Sequence, residues 1–354
     1  DKLAKLDITD SLSVNNSKVE NKTTNINNNT DVIEYQLEIE CTSGGSAEDF
    51  VYYIPIIKND SVADNQIIFN AEYAYTLTKE VEVANSIEGI GIKVLYGFEE
   101  AITFTKANSQ TMTWYEAIPS DKTLADVTVL KIVPQTNAIE NGSLSVIKVT
   151  MNYLGSLEEY IQNAGMNNTW AARGQYKYKI GDRAVVGLYS TGKTSITTHY
   201  TYELQEVTLK TSTGDHSDFI GNDTSTLDGL YKFNKAQNFK VVSISTHNSV
   251  LTSVINMEMI ASNLTGDDAN RLFAFYAKIN NNPKQDISDT NCVLGAVDAS
   301  TAFNIVFEIF NADVISDTTT IRYVDIILES DNGVTIPIRI NIERELTVIG
   351  EVSN

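Results

Sequence analysis

Period-two alternation of apolar and polar residues constrains this chain more than any other feature. It is plainest over residues 126–153, DVTVLKIVPQTNAIENGSLSVIKVTMNY. Val127, Val129 and Lys131 alternate with Thr128, Leu130 and Ile132. After a polar stretch ending in Ile139-Glu140-Asn141-Gly142-Ser143, the residues Leu144, Val146, Lys148 and Thr150 alternate with Ser145, Ile147, Val149 and Met151. Successive side chains of a strand point to opposite faces, so this pattern fits half-buried strands and not a helix. The two runs, with a turn containing Asn-Gly between them, predict an antiparallel β-hairpin.

The same grammar runs along the chain. Strands are expected at 3–14, 32–41 and 50–57, in short runs between 67 and 104, and at 176–180, 183–189 and 195–204. Residues 15–31, NNSKVENKTTNINNNTD, are polar and Asn-rich and read as an exposed loop or linker without a core of its own. One helix is expected over 156–168, because Ser156-Leu157-Glu158-Glu159 has capping-box spacing and Gly165 stands near a plausible end. Further strands are expected at 207–209, 239–246, 250–260, 272–279, 292–297, 303–310, 321–328 and 334–342. Phe303, Ile305, Phe307 and Ile309 share one face there, and Asn304 and Glu308 take the other. Many short strands without the regular helices of βαβ units predict an all-β fold. The expected architecture is two Ig-like antiparallel β-sandwich domains with at most one short helix. The first covers 1–204, including the Asn-rich segment 15–31, and the second covers 205–354.

Composition narrows the function classes. With 42% hydrophobic residues, 17 Tyr and 12 Phe, the chain can build real cores. Its 26 basic and 46 acidic residues give a net charge of −20, and no Lys/Arg cluster offsets it. Such a surface repels phosphate backbones and anionic lipids, which argues against nucleic acid as a partner. No apolar run is long enough to span a bilayer, so direct membrane insertion is not expected. Cys41 falls in phase with Tyr35, Leu37 and Ile39 and should pack as a small hydrophobe; no disulfide with the distant Cys292 is expected. Starting at Asp1 without a leader or a cell-wall sorting signal, the sequence reads as a processed form or as part of something longer.

Motifs that carry chemistry are few. Gly187-Leu188-Tyr189-Ser190-Thr191-Gly192-Lys193-Thr194 satisfies the P-loop pattern, but a P-loop needs a helix directly after it to hold phosphates on its N-terminus. Here the β-branched, aromatic run from Ser195 to Tyr202 follows, so Ser190 to Lys193 should be a hairpin turn. His199, His216 and His247 have no second ligand at metal spacing. Adjacent acids such as Glu99-Glu100 and Glu158-Glu159 read as solvated faces. The Asn-x-Ser/Thr triplets at Asn141, Asn167 and Asn263 follow from composition. Two oxygen-rich loops are candidate Ca²⁺ sites, one with Asp267, Asp268 and Asn270 and the other with Asp286, Asp289 and Asn291. Hard cations want several converging oxygens, although neither loop has EF-hand spacing. No other cofactor is expected.

Two passages resemble a known family. One comprises Val32-Ile33-Glu34-Tyr35-Gln36-Leu37-Glu38-Ile39 and Ala47-Glu48-Asp49-Phe50-Val51-Tyr52-Tyr53-Ile54-Pro55-Ile56. The other is the pair of runs in 126–153, and a Tyr-x-Tyr strand at Tyr176 and Tyr178 is a third, weaker likeness. Together they are similar to Ig-like domains of cell-wall surface proteins of Gram-positive bacteria, over residues 32–204 only. The resemblance implies an extracellular, cell-surface setting and domains that display binding surfaces or act as spacers. Domains of this kind often carry Lys–Asn isopeptide crosslinks, as the resemblance implies. Lys210 and Asn341 are placed plausibly in sequence, but Lys210, Asn341 and Glu308 are each out of phase with their apolar neighbours, so no crosslink is expected for this trio.

The expected function is a non-enzymatic, adhesin-like surface region binding an extracellular protein or glycan, with exposed Trp114 or Trp170 as candidate anchors. Core packing is the more ordinary fate of either tryptophan. The alternative is a structural surface component, such as an S-layer, fimbrial or stalk domain, acting by self-association.

Overall fold

The computed structural model describes residues 5–42, 45–58, 62–63, 68–99, 112–180, 183–212, 223–246, 274–287, 291–310 and 322–345. The chain divides into two compact units, one of residues 1–160 and 166–198, the other of 161–165 and 199–354.

Among the described residues, three sheets make the first unit. Sheet I contains β1 (Leu6–Val14), β2 (Ser17–Val19), β4 (Ile33–Cys41), β8 (Tyr75–Leu77), β9 (Glu82–Asn85) and β13 (Leu144–Tyr153), in the order β2-β1-β4-β13-β8, with β9 also on β13. Sheet II contains β5 (Ala47–Pro55), β10 (Ile92–Gly97), β11 (Val129–Pro134), β12 (Ala138–Ile139), β15 (Arg173–Ile180) and β16 (Arg183–Ser190). Its order is β10-β11-β5-β15-β16, with β12 on β5. Sheet III runs β3-β17-β14-β7-β6, from β3 (Thr23–Ile26), β17 (Thr194–Thr198), β14 (Asn167–Trp170), β7 (Ile68–Ala71) and β6 (Val62–Ala63). Alternation is realised faithfully in β4, where Ile33, Tyr35, Leu37, Ile39 and Cys41 are buried and the residues between them are not. Each such Ile or Leu contributes about 1.5–3 kcal/mol by leaving water.

Three expectations need correction. The runs in 126–153 are strands but not a hairpin: β11 pairs with β10 and β5 in sheet II, and β13 pairs with β4, β8 and β9 in sheet I. Each run is an interior strand with neighbours on both sides. The connection is too long for the tight two-residue turn that would close them on each other, and β12 in its middle pairs with β5. Secondly, the helix is only Leu157–Gln162. The capping box forms as expected, with the Ser156 amide donating to Glu159 Oε2 at 2.7 Å and the Glu159 amide donating to Ser156 Oγ at 3.2 Å. Residues 167–170 instead become β14, the centre of sheet III. Thirdly, the Asn-rich segment is no linker. It holds β2 and β3, and Ile26 is fully buried. Asn15, Asn16 and Asn21 adopt left-handed backbone at φ 48°, 65° and 53°, a conformation asparagine accepts more readily than most residues. Its asparagines therefore serve tight turns.

The second unit is a two-sheet sandwich. Sheet IV runs β18-β27-β26-β21-β24, from β18 (Tyr200–Thr201), β27 (Val334–Glu345), β26 (Arg322–Ser330), β21 (Gln237–Thr246) and β24 (Val293–Val297), and β19 (Gln205–Ser212) also pairs with β27. Sheet V runs β20-β25-β22-β23, from β20 (Asp223–Leu230), β25 (Phe303–Phe310), β22 (Ala274–Ile279) and β23 (Gln285–Asp286). Leu209, Phe239, Ile326 and Ile338 of sheet IV meet Ala277, Ile279, Ile305 and Phe307 of sheet V in one core, and Phe239 stacks on Phe303 with ring centroids 5.2 Å apart. Pairing is mostly antiparallel, but β3–β17, β18–β27 and β19–β27 are parallel. Pro337 has no N–H for a ladder, and it falls opposite the break between β18, which ends at Thr335 in register, and β19, which begins at Ile338. The expected strand 250–260 lies outside the described residues.

Candidate functional site

Two places in the first unit concentrate polar or aromatic chemistry. The first is interior. β1 supplies Asp10, β4 supplies Tyr35, and the turn before β3 supplies Lys22. Lys22 Nζ donates to both carboxylate oxygens of Asp10 at 2.7 Å and to the Gly192 carbonyl at 2.7 Å. The Tyr35 hydroxyl donates to Asp10 Oδ2 at 2.8 Å and lies 3.4 Å from Thr191 Oγ1. Only 14% of the Lys22 side chain and 9% of that of Asp10 are exposed. Burial, followed by the charge of Asp10, pushes the Tyr35 phenol well above its usual value, so it stays a neutral donor. Lys22 holds left-handed backbone at φ 51°, a conformation costing a non-glycine residue roughly 1–2 kcal/mol. Every charge in the cluster is matched, which makes it a clasp and leaves no activated nucleophile. The residues that matched a P-loop sit here, though not as a hairpin turn: β16 ends at Ser190 in sheet II and β17 starts at Thr194 in sheet III. The two strands pair with other partners, and the connection between them offers a carbonyl to Lys22, not amides to a phosphate.

The second place is partly exposed: Trp114, Phe98 and Lys131 are half-buried over a buried Tyr53. On the outer face of sheet II, Lys131 of β11 is in register with Tyr53 of β5. Trp114 lies across both, its ring centroid 5.9 Å from that of Tyr53 and 5.2 Å beneath Lys131 Nζ. It can lie so close because Gly97 has no side chain: a Cβ there would come within 2.9 Å of the indole. Tyr115 is tied to Tyr96 by a pair of backbone hydrogen bonds of 2.8 and 3.1 Å, meets Phe98 edge-on at 5.6 Å, and is 40% exposed. Lys93 and Glu116 form an ion pair nearby. Burial lowers the Lys131 ammonium pKa. The result is a partly exposed aromatic platform on sheet II with a cation over Trp114.

The other sequence candidates fall apart spatially or lie elsewhere. Trp170 is fully buried and packs edge-on against Tyr35 at 4.6 Å, so it belongs to the core. Of the Ca²⁺ candidates, Asp267, Asp268, Asn270 and Asp289 lie outside the described residues. Asp286 is exposed on β23, in register with Tyr276, and Asn291 is exposed with its amide donating to the Val241 carbonyl. Among the described residues, no three of His, Cys, Asp and Glu come together as a metal site would require. His199 is half-buried against Gly333, and burial lowers its pKa; His216 and His247 lie outside the described residues. Asn341 belongs to sheet IV, while Glu308 belongs to sheet V and pairs with Lys284 at 3.0 Å. Cys41 is buried and Cys292 half-buried, and neither is in a disulfide. Lys22 escaped sequence reasoning, since nothing in an Asn-rich run marks a lysine as buried.

No protein-family model matches the chain, and no curated protein matches it. Among solved structures, the major pilin subunit of Bacillus cereus aligns over 96% of this chain and 69% of its own, at 8% identity and a TM-score of 0.26. The C-terminal domain of the Streptococcus pyogenes antigen I/II-family protein AspA aligns over 96% and 99%, at 7% identity and 0.27. The collagen-binding subdomain of the Enterococcus faecalis surface protein ACE aligns over 49% and 93%, at 7% identity and 0.21. Similarity at this level carries no argument about function, which therefore rests on the residues of the chain itself.

Proposed function

We propose that this chain is a non-enzymatic region of a bacterial cell-surface protein that works by recognition, in the manner of an adhesin, on an extracellular protein or glycan. The observation that carries the reading is the platform of Trp114, Tyr115 and Phe98 beside Lys131. Large aromatics bury much area at small entropic cost, a cation over Trp114 adds to their polar character, and such residues dominate binding energetics. The surface setting comes from the resemblance of residues 32–204 to Ig-like domains of Gram-positive cell-wall proteins. The test is a binding screen of the chain and its Trp114→Ala variant against immobilised matrix proteins and glycans. A ligand that binds the parent and loses about tenfold or more in affinity with the variant supports the reading. A uniformly negative screen, or binding indifferent to Trp114, sinks it.

A further inference from the structure

We propose that β16, the open edge of sheet II, takes up an extended segment of another protein as an added strand, and that this guest carries carboxylates at its ends. The inference concerns a different surface from the aromatic platform and does not rest on it. Among the described residues β16 pairs only with β15, which leaves it at the end of the sheet. An edge strand presents a row of unpaired N–H and C=O groups. Proteins ordinarily blunt such edges with charge, proline or a bulge. None of these is found between 184 and 190, where the sequence is Ala-Val-Val-Gly-Leu-Tyr-Ser, and β16 keeps an unbroken register with β15. Val186 and Leu188 share the outer face and are 52% and 50% exposed. Unmet backbone groups together with two exposed apolar side chains at alternate positions ask for an extended strand whose own alternate residues are apolar.

Charge selects the guest. Arg183 opens the strand and Lys193 follows its end; both are exposed, and neither is ion-paired among the described residues. In a chain of net charge −20, residues 173–193 carry five basic groups (Arg173, Lys177, Lys179, Arg183 and Lys193) against one acid, Asp182. Of these, Lys177 is already held by Asp49, so a guest with carboxylates at its ends meets Arg183 at one end and Lys193 at the other. A second copy of the chain fits worse. Antiparallel self-pairing that keeps Val186 and Leu188 on one face and centres on Gly187 sets Arg183 opposite Thr191 of the other copy, two residues from that copy's Lys193. Cation then approaches cation at both ends.

The test uses the full chain and labelled synthetic peptides of about ten residues, an ordinary strand length allowing for charged ends. One peptide alternates valine and threonine between aspartates, a second replaces the aspartates by lysines, and a third places proline mid-strand in the acidic version. Fluorescence anisotropy should show saturable binding of the acidic peptide, about tenfold tighter than the lysine-ended one, and none of the proline version. Its addition should slow amide hydrogen exchange within 183–190. Arg183→Glu with Lys193→Glu, both at exposed positions, should invert the peptide preference while leaving the circular dichroism spectrum unchanged. Equal binding of acidic and basic peptides, protection outside β16, or no saturable binding overturns the proposal. So does sedimentation showing a dimer of the chain that Leu188→Asp dissolves, because the occupant would then be a second copy.

Discussion

Replacing Lys22 by methionine should destabilise the first unit severely, and the structure sets the scale. Methionine keeps roughly the shape of the lysine stem but leaves Asp10 charged, 9% exposed, and held by a single 2.8 Å hydrogen bond from Tyr35. The Gly192 carbonyl loses its donor as well, and the left-handed backbone at position 22 remains. Breaking a buried ion pair from one side typically costs 3–5 kcal/mol, so a loss of about 3–4 kcal/mol is expected at neutral pH. That is a rise of roughly 100- to 1,000-fold in the unfolded-to-folded ratio, at about 1.4 kcal/mol per decade. Removing both charges, as in Lys22→Met with Asp10→Asn, leaves no uncompensated ion and should cost clearly less than the sum of the single changes. Urea titration followed by tryptophan fluorescence reads this unit alone, since both tryptophans, Trp114 and Trp170, lie in it. A single-variant cost below about 1 kcal/mol, or a double variant equal to the sum, would refute the idea of a buried, coupled clasp.

Three further outcomes are expected. Gly174→Ala would bring a Cβ within 2.1 Å of the Tyr52 ring and 2.2 Å of the Val51 carbonyl oxygen, so β15 must move off β5; the same fluorescence titration should show a loss of several kcal/mol or no folded first unit. Asn168 is fully buried and serves three backbone groups, accepting from the amides of Glu72 and Tyr73 at 2.9 and 3.2 Å and donating to the Tyr73 carbonyl at 2.8 Å. Asn168→Leu strands all three and should cost about 3 kcal/mol or more; a cost under about 1 kcal/mol would show that β7 and β14 do not need the clamp. Finally, burial lowers Lys58 from 10.5 to about 8 while its ammonium donates to the carbonyls of Tyr75 and Ala125. The folded state then gives up this proton before the unfolded chain does. The cost of burying the charge is fully present below about pH 8 and fades toward pH 10.5, so the parent should gain stability relative to Lys58→Met as pH rises through that window. A flat or falling difference in denaturation midpoints would count against it.

Strand positions were legible because a buried face leaves a period-two record in one strand alone. Ile33, Tyr35, Leu37 and Ile39 betray β4 without reference to anything else. Sheet membership was not legible, because it depends on which backbone lies alongside, and hydrophobicity does not encode that. The β11 and β13 runs looked like two halves of a hairpin for this reason, although one joins β10 and β5 and the other β4. The helix start was readable from Ser156 and Glu159. Its early end was not, since Asn167–Trp170 is drawn into sheet III by β7 and β17, elements far away in sequence. Composition misled at 15–31, where asparagine signalled solvent but supplied left-handed turns. The aromatic platform was half visible: Trp114 could be named, but its contact with Tyr53 and Lys131 depends on a glycine and on a register between strands.

The pairing of β19 with β27 makes neighbours of two strands near opposite ends of the second unit, joined in parallel over eight residue pairs from Gln205–Ile338 to Ser212–Glu345. Neither strand can complete the ladder until the other has been made, so this part of the sheet closes only when β27 has left the ribosome. Direction matters too. In a parallel pair, tension entering at residue 205 and leaving at residue 345 pulls the strands lengthwise past each other. Every rung shares the load from the start, where a hairpin pulled at its open end would yield one rung at a time. For a body held at both ends, that ladder decides how much force the second unit withstands.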